Sequence, residues 1–199
     1  SKPITAVAVM QLVEQGRVRL DDRFLDVAPL EPVLEDGTQL DPRIRQITVR
    51  HLLQHRAGWD RDVSFDPIGR PWQIAACLKK SVPPSPTDVA RYSLGLPLDF
   101  DPGARYAYAN VDYLCLGRLI ERCTRSAYVD AIQKRVLAPL QIRRMRLGRA
   151  LESHLEETEV RYYDRRERCG KCLYPPHQGE EVPLVYGAEN LEGYEAHGG

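Results

Sequence analysis

The opening run of the chain, from Pro3 to Val13, is apolar on almost every face of the helix that it predicts. A helix with one apolar stripe lies at a surface, whereas a helix that is apolar all round is typical of a buried position. Pro3 is tolerated in a first helical turn, and Gly16 can end the helix. We therefore predict a central buried helix that starts at Ser1 or slightly before it.

Helical patterns recur along the rest of the chain, between segments rich in Asp, Pro and Gly. Thr48 can cap a short helix that runs to His55. Further helices are predicted over residues 72–79, 88–94, 114–123 and 128–137, with loop over 20–40, a strand over 159–163 and irregular structure over 168–183. The chain should therefore be mainly helical, and no repeat or change in composition marks a domain boundary.

Composition and charge restrict the class of protein. The chain has 199 residues, of which 43% are hydrophobic and 28% charged, as in an ordinary soluble globular protein. Its 28 basic residues balance its 28 acidic residues, so the net charge gives no case for nucleic acid or an anionic membrane as a partner. No stretch approaches the ~20 apolar residues that cross a bilayer, so no transmembrane segment is predicted.

Five cysteines, an odd number, do not indicate a complete disulfide framework. Cys77, Cys115 and Cys123 lie in apolar or helical surroundings and are interpreted as buried thiols. Cys169 and Cys172 form a Cys-Gly-Lys-Cys pair in a polar segment. This pair could be half of a metal site, a local disulfide or redox pair, or of no special role, and no second pair completes a zinc site.

Two features carry candidate chemistry: Lys2 at the start of the buried helix, and the triplet Tyr108-Ala109-Asn110 after the tight turn Asp101-Pro102-Gly103. A lysine that is desolvated at the positive end of a helix dipole loses its proton more readily and can act as a base. The alternative is a lysine whose amine simply extends to water. From the residues alone, both interpretations stay open.

A family resemblance connects these features. Ser1-Lys2-Pro3-Ile4-Thr5-Ala6 resembles the end of the S-V-S-K-P-x-T-A stretch of class C β-lactamases and of related esterases and D-alanyl-D-alanine peptidases. Further segments agree with the family in order and spacing: Leu20-Asp21-Asp22, the P-G to Y-x-N to L-G pattern from Pro102 to Gly117, and the segment Ile47–Gly58, which resembles I-T-V-R-H-L-L-T-H-T-S-G. Within the last segment, Arg56 and Ala57 depart from the family's small hydroxyl residues. The chain thus resembles the serine β-lactamase and penicillin-binding-protein family over nearly its whole length.

The resemblance implies an α+β fold of the β-lactamase/transpeptidase type, of which residues 1–199 would be a partial domain, truncated at both ends. This part would be mainly helical, with much of the antiparallel sheet outside it. The nucleophilic serine of the S-x-x-K motif is expected two residues before Ser1, which makes Ser1 itself an unreactive position. The third motif, K-T-G or H-x-G, is expected beyond the C-terminus.

The mechanism that the resemblance implies is acyl transfer through a covalent acyl-enzyme. Lys2 would take the serine proton, and Tyr108, its ionised form favoured by the adjacent cation, would complete the proton network. Asn110 would bind Lys2 and the substrate carbonyl region. No cofactor or metal is expected. The expected partner is a small-molecule or peptidoglycan-peptide substrate, and the family resemblance suggests an exported or periplasmic protein.

Three histidines are candidates for other roles. His197-Gly198-Gly199 matches H-x-G, but the spacing after Tyr108 is too short for the intervening strands, so no catalytic role is predicted for His197. His51 and His55 have zinc-helix spacing without the following Glu, and the resemblance makes both structural.

The favoured activity is that of an esterase or D-alanyl peptidase, with β-lactamase as a further possibility. A binding or sensor domain that has lost catalysis is the alternative.

Overall fold

Helices dominate the computed structural model, which describes residues 1–35 and 37–198. The α-helices are α1 (Lys2–Glu14), α2 (Phe24–Val27), α3 (Val49–Leu53), α4 (Pro71–Leu78), α5 (Pro86–Leu94), α6 (Asn110–Thr124) and α7 (Tyr128–Ile132), and two antiparallel strands are β1 (Cys169–Lys171) and β2 (Glu181–Pro183). The expectation of a mainly helical chain is confirmed. The last residue of the His197-Gly198-Gly199 segment lies outside the described residues.

Helix α6 is the centre of the molecule. Every residue from Val111 to Ile120 is buried, and α1, α3, α5 and α7 pack around it. Arg122 in its last turn carries a charge that complements the helix dipole. Because α6 begins at Asn110, the packing of this helix also fixes the Tyr-x-Asn triplet that leads into it.

Helix α1 buries only one face. Its buried residues Thr5, Ala8, Val9 and Leu12 have the spacing of a single helical stripe. The prediction of burial on all sides is wrong, since opposite residues such as Val7 remain 48% exposed. The described neighbours of α1 (α6, α7 and the wide helical turn that follows α7) account for the buried stripe.

The capped helix α3 has the predicted start and an earlier end. Thr48 Oγ1 accepts a hydrogen bond from the His51 N–H, and Thr48 N–H donates to His51 Nδ1. The helix ends at Leu53, and His55 adopts a left-handed conformation with φ of 53°. This turn presents the His55 carbonyl to Ala107 N–H at 2.9 Å, so it anchors the segment that carries the triplet.

The region after residue 151 differs from the prediction. Residues 159–163 form no strand, and Val160 and Tyr163 are 73% and 85% exposed. The hairpin lies instead in the 168–183 stretch, where Gly170 pairs with Val182. Strands of three residues are too short to produce a visible alternation of apolar and polar positions, which explains why the sequence pattern missed them.

The cysteines are free thiols, so the Cys169–Cys172 pair forms no disulfide. Cys169 is exposed and Cys172 is buried. Cys115 is buried as predicted, whereas Cys77 and Cys123 are only partly buried. Among residues 1–35 and 37–198, no group of three His, Cys, Asp or Glu side chains is arranged to hold a metal ion.

None of the helices in the described part of the chain combines the length and the apolar character that a membrane crossing requires.

Candidate active site

Lys2 and Tyr108 converge on one atom, the amide oxygen of Asn110. Lys2 Nζ donates to Asn110 Oδ1 at 2.8 Å, and the Tyr108 hydroxyl donates to the same oxygen at 3.0 Å. Lys2 Nζ also lies 4.9 Å from the centroid of the Tyr108 ring. The three residues that the sequence singled out therefore lie together, although the lysine is far from the other two along the chain.

Local structure explains this convergence. Gly103 has a φ of 86° in the turn that precedes the triplet, and its N–H donates to the Arg56 carbonyl. The chain then runs extended to Ala109, and α6 starts at Asn110. Since Lys2 is the first residue of α1, which packs on α6, both helices present their first turns to the same place.

Asp66 is a site residue that the sequence analysis missed. Its Oδ2 accepts a hydrogen bond from Asn110 Nδ2 at 2.7 Å, while its Oδ1 accepts from Ile68 N–H at 3.2 Å. The Asp66-Pro67 pair marks a turn in the sequence, and the side chain does cap the short 3₁₀ helix Pro67–Gly69. That local signal carries no information about the distant Asn110.

His197 contributes its main chain rather than its side chain. Its carbonyl accepts a hydrogen bond from Lys2 Nζ. The imidazole is buried, and neither ring nitrogen has a hydrogen-bond partner among the described residues. Burial, followed by the charge of Lys2, lowers the pKa of His197 to about 3, so the ring is neutral. The absence of a catalytic role for the imidazole stays a prediction.

The two acceptors around Lys2 define what its amine can do. A neutral amine has two N–H groups and one lone pair. If Asn110 Oδ1 and the His197 carbonyl take the two N–H groups, the lone pair remains free to accept a proton. This arrangement is suited to a general base whose amine is oriented by hydrogen bonds to two acceptors.

An open cleft of about 520 Å³ lies beside these residues. Its lining includes Tyr108, Asn110 and Asp66, together with the charged side chains Arg61 and Glu189. The Arg61 guanidinium carbon lies 5.4 Å from the centroid of the Tyr108 ring. Burial raises the pKa of Glu189 above its usual range. The phenol and the amide are therefore accessible from the cleft.

His55 lies behind Tyr108. Its ring centroid is 4.8 Å from that of Tyr108 and 5.0 Å from that of Tyr113. Asp112 Oδ2 is 2.9 Å from His55 Nδ1. His51, by contrast, serves α3 as a capping residue.

A protein-family model described as Beta-lactamase matches residues 1–198. Curated relatives include a probable fimbrial assembly protein FimD of Dichelobacter nodosus, which is 32% identical over 61% of this chain and 27% of its own length. Penicillin-binding protein 4 of Amycolatopsis lactamdurans is 33% identical over 70% of this chain and 32% of its own length. Lovastatin esterase of Penicillium rubens is 30% identical over 71% of this chain and 36% of its own length.

Solved structures agree with this family match. The octameric penicillin-binding protein homologue from Pyrococcus abyssi aligns with a TM-score of 0.57 and 26% identity, covering 100% of this chain and 39% of that one. A D-stereospecific amidohydrolase from Streptomyces sp. aligns with a TM-score of 0.62 and 22% identity over 98% of this chain and 54% of that one, a likeness that shows the fold. The chain spans between about a quarter and about a third of the length of the curated relatives named above.

Proposed function

This chain belongs to the β-lactamase family, and we propose that it supplies the proton-transfer half of a serine hydrolase site. In this proposal the whole protein transfers acyl groups through a covalent serine ester. The nucleophile is a serine two residues before Ser1, Lys2 is the base, and Tyr108 passes the proton onward. Asn110 holds Lys2 and contacts the substrate carbonyl region.

The observation that carries the proposal is the shared hydrogen bonding of Lys2 Nζ and the Tyr108 hydroxyl to Asn110 Oδ1. An S-x-x-K pair on one helix places serine and lysine one turn apart, on the same face. The serine oxygen would attack the acyl carbon while its proton moves to Lys2. The leaving group would then depart with a proton returned through Tyr108, and water would hydrolyse the acyl-enzyme by the reverse proton path.

The substrate class is an ester or an amide. Relatives named as an esterase and a penicillin-binding protein support this class. We favour a carboxylic ester or a D-alanyl peptide, with a β-lactam as a further candidate, because one proton-transfer set serves all three and the pocket decides between them.

A covalent-labelling experiment tests the reaction. Full-length protein is incubated with a fluorophosphonate probe, and tryptic mass spectrometry locates the adduct. The expected adduct lies on a serine two residues before Ser1 and is lost in the variant with alanine there. An adduct on Ser1, or none at all, contradicts the proposal, and the latter favours a domain that binds without reacting.

A substrate panel tests the specificity. Turnover of a short-chain nitrophenyl ester, a D-alanyl dipeptide and a chromogenic lactam is compared for the full-length protein and its Lys2→Ala variant. Lys79→Ala is the matched control, since Lys79 lies at the C-terminal end of α4, whereas Lys2 bonds Asn110. Turnover that survives in Lys2→Ala at the level of the control would exclude Lys2 as the base.

A further inference from the structure

A fully buried carboxyl group lies directly behind the candidate site. Asp112, in the first turn of α6, is 1% exposed. Its Oδ2 is 2.9 Å from His55 Nδ1, and its Oδ1 has no hydrogen-bond partner in the described part of the chain. A buried carboxylate with a bare oxygen is costly, so this environment favours the neutral acid.

The burial of Asp112 assigns the proton to the aspartate, because its side chain is excluded from water and Oδ1 has no partner among the described residues. A protonated Oδ2 donates to His55 Nδ1, whose single lone pair accepts that hydrogen bond. In agreement, burial raises the pKa of Asp112 to about 7, against the opposing influence of His55.

The pair is in contact with the residues of the proposed reaction. The His55 ring packs on the Tyr108 ring at 4.8 Å between centroids and an interplanar angle of 41°. The titratable groups around the pair are Lys2 on α1, Asp66 on the turn before α4, Tyr106 and Tyr108 on the segment before α6, and Tyr113 and Cys115 on α6 itself. Lys2 is the cation among them.

We propose that His55 and Asp112 are positioning residues for proton exchange between Lys2 and Tyr108, and that the pair is active while Asp112 is protonated. The inference rests on the proposed function. While Asp112 is neutral, the His55 ring packs on the Tyr108 ring and the pair adds no charge to the site. Ionised Asp112 would place an additional negative charge behind the site, and this charge opposes the build-up of further negative charge on the reacting groups.

The variant Asp112→Asn separates this role from simple packing. The amide has the same shape and still donates to His55 Nδ1, but it cannot ionise. In the full-length wild-type protein, kcat/KM should fall as the pH rises above neutral. In Asp112→Asn this alkaline decline of kcat/KM should begin at least about one pH unit higher, which is about a tenfold difference in kcat/KM at a given pH on the decline. Asp88→Asn is the control, because Asp88 is also a buried aspartate but bonds Lys80 and Ser85. This variant should leave the pH of the alkaline decline in kcat/KM unchanged. Identical alkaline declines in wild type and Asp112→Asn would overturn the inference.

A measurement without turnover keeps the test independent of the proposed function. In nitrogen-15 NMR of the full-length protein, His55 Nδ1 should have the shift of an unprotonated acceptor at pH 6. The Tyr108 ring resonances should change between pH 6 and 8 in wild type and stay constant in Asp112→Asn. If His55 Nδ1 carries the proton, or if the Tyr108 resonances do not respond, the inference fails even in an active enzyme. If these signals behave as expected but no substrate is turned over, the proposed function fails and the positioning geometry stands.

Discussion

Asp66 Oδ2 accepts a hydrogen bond from Asn110 Nδ2 at 2.7 Å, and this contact decides which way the Asn110 amide faces. An amide side chain can rotate and exchange its oxygen and nitrogen positions. A carboxylate accepts hydrogen bonds and does not donate them, so Asp66 selects the orientation in which Oδ1 faces Lys2 and Tyr108. Asp66 thereby acts on the proton-transfer residues without touching either one.

We expect Asp66→Ala to lower kcat of the full-length protein by about 10- to 100-fold. A hydrogen bond to a charged group contributes about 1.5–3 kcal/mol, and its loss corresponds to a rate decrease of this size. KM should change much less if substrate binding survives. Steady-state kinetics with the best substrate of the panel measure both constants. Asp62→Ala is the matched control, because Asp62 lines the same cleft while its carboxylate has no bond to Asn110. Equal losses in both variants would contradict the orienting role.

Tyr108→Phe removes the hydroxyl that bonds Asn110 Oδ1 and keeps the ring. We expect kcat/KM to fall by about 10²–10⁴-fold, the usual range for loss of a proton-transfer group. Tyr106→Phe makes the same chemical change two residues earlier, on a ring that is 63% exposed, and should stay close to wild type. A Tyr108→Phe enzyme with the activity of Tyr106→Phe would remove the phenol from the mechanism.

Asp112 should make the stability of the fold depend on pH. Its pKa is about 7 in the folded chain, against 3.8 for an ordinary aspartate. Between these values the unfolded state has lost the proton that the folded state retains, so the free energy of unfolding decreases as pH rises, by at most about 1.4 kcal/mol per pH unit. Urea unfolding from pH 4 to pH 8 should show a steeper decline in wild type than in Asp112→Asn. Parallel curves would indicate that the folded protein does not hold this proton.

Gly58 should be intolerant of a side chain. Its φ is 124°, and a Cβ there would approach the Phe100 carbonyl oxygen to 2.7 Å. We expect Gly58→Ala to lower the free energy of unfolding by about 2–4 kcal/mol, from backbone strain and steric conflict together. Gly16 also has a positive φ, of 67°, but a Cβ at that position would meet no atom within 4 Å, so Gly16→Ala should cost only about 1 kcal/mol. Chemical denaturation compares the two, and equal costs would show that the contact with Phe100 is unimportant.

The helices were accessible from the sequence because their signals are local, whereas Lys2, Tyr108 and Asn110 were connected through the resemblance of their segments to one family. Periodicity, a capping threonine and a Tyr-x-Asn triplet each occupy one short segment. Asp66 was not accessible, because its turn signal is satisfied within its own loop and its second oxygen serves a residue far along the chain. The exposed outer face of α1 was missed for a related reason, since an apolar pattern does not say which neighbours are present.

The contacts of His55 also could not be predicted from the sequence. The family resemblance implied a structural role for His55, and its contacts with Tyr108 and Asp112 depend on packing between α3 and α6. Contacts of this kind arise from tertiary packing, and the spacing of residues along the chain does not indicate them.

The short hairpin of β1 and β2 was missed because its stability depends on pairing across a loop rather than on any apolar run.

The hydrogen bond from Lys2 to the His197 carbonyl places part of the site in the peptide backbone. Side-chain replacement at position 197 removes no atom of that hydrogen bond, so alanine scanning does not test the contact directly. A proline or an insertion nearby, which displaces the backbone, would disturb the amine instead. At His197, the identity of the side chain and the position of the carbonyl that bonds Lys2 are therefore separate properties of one residue.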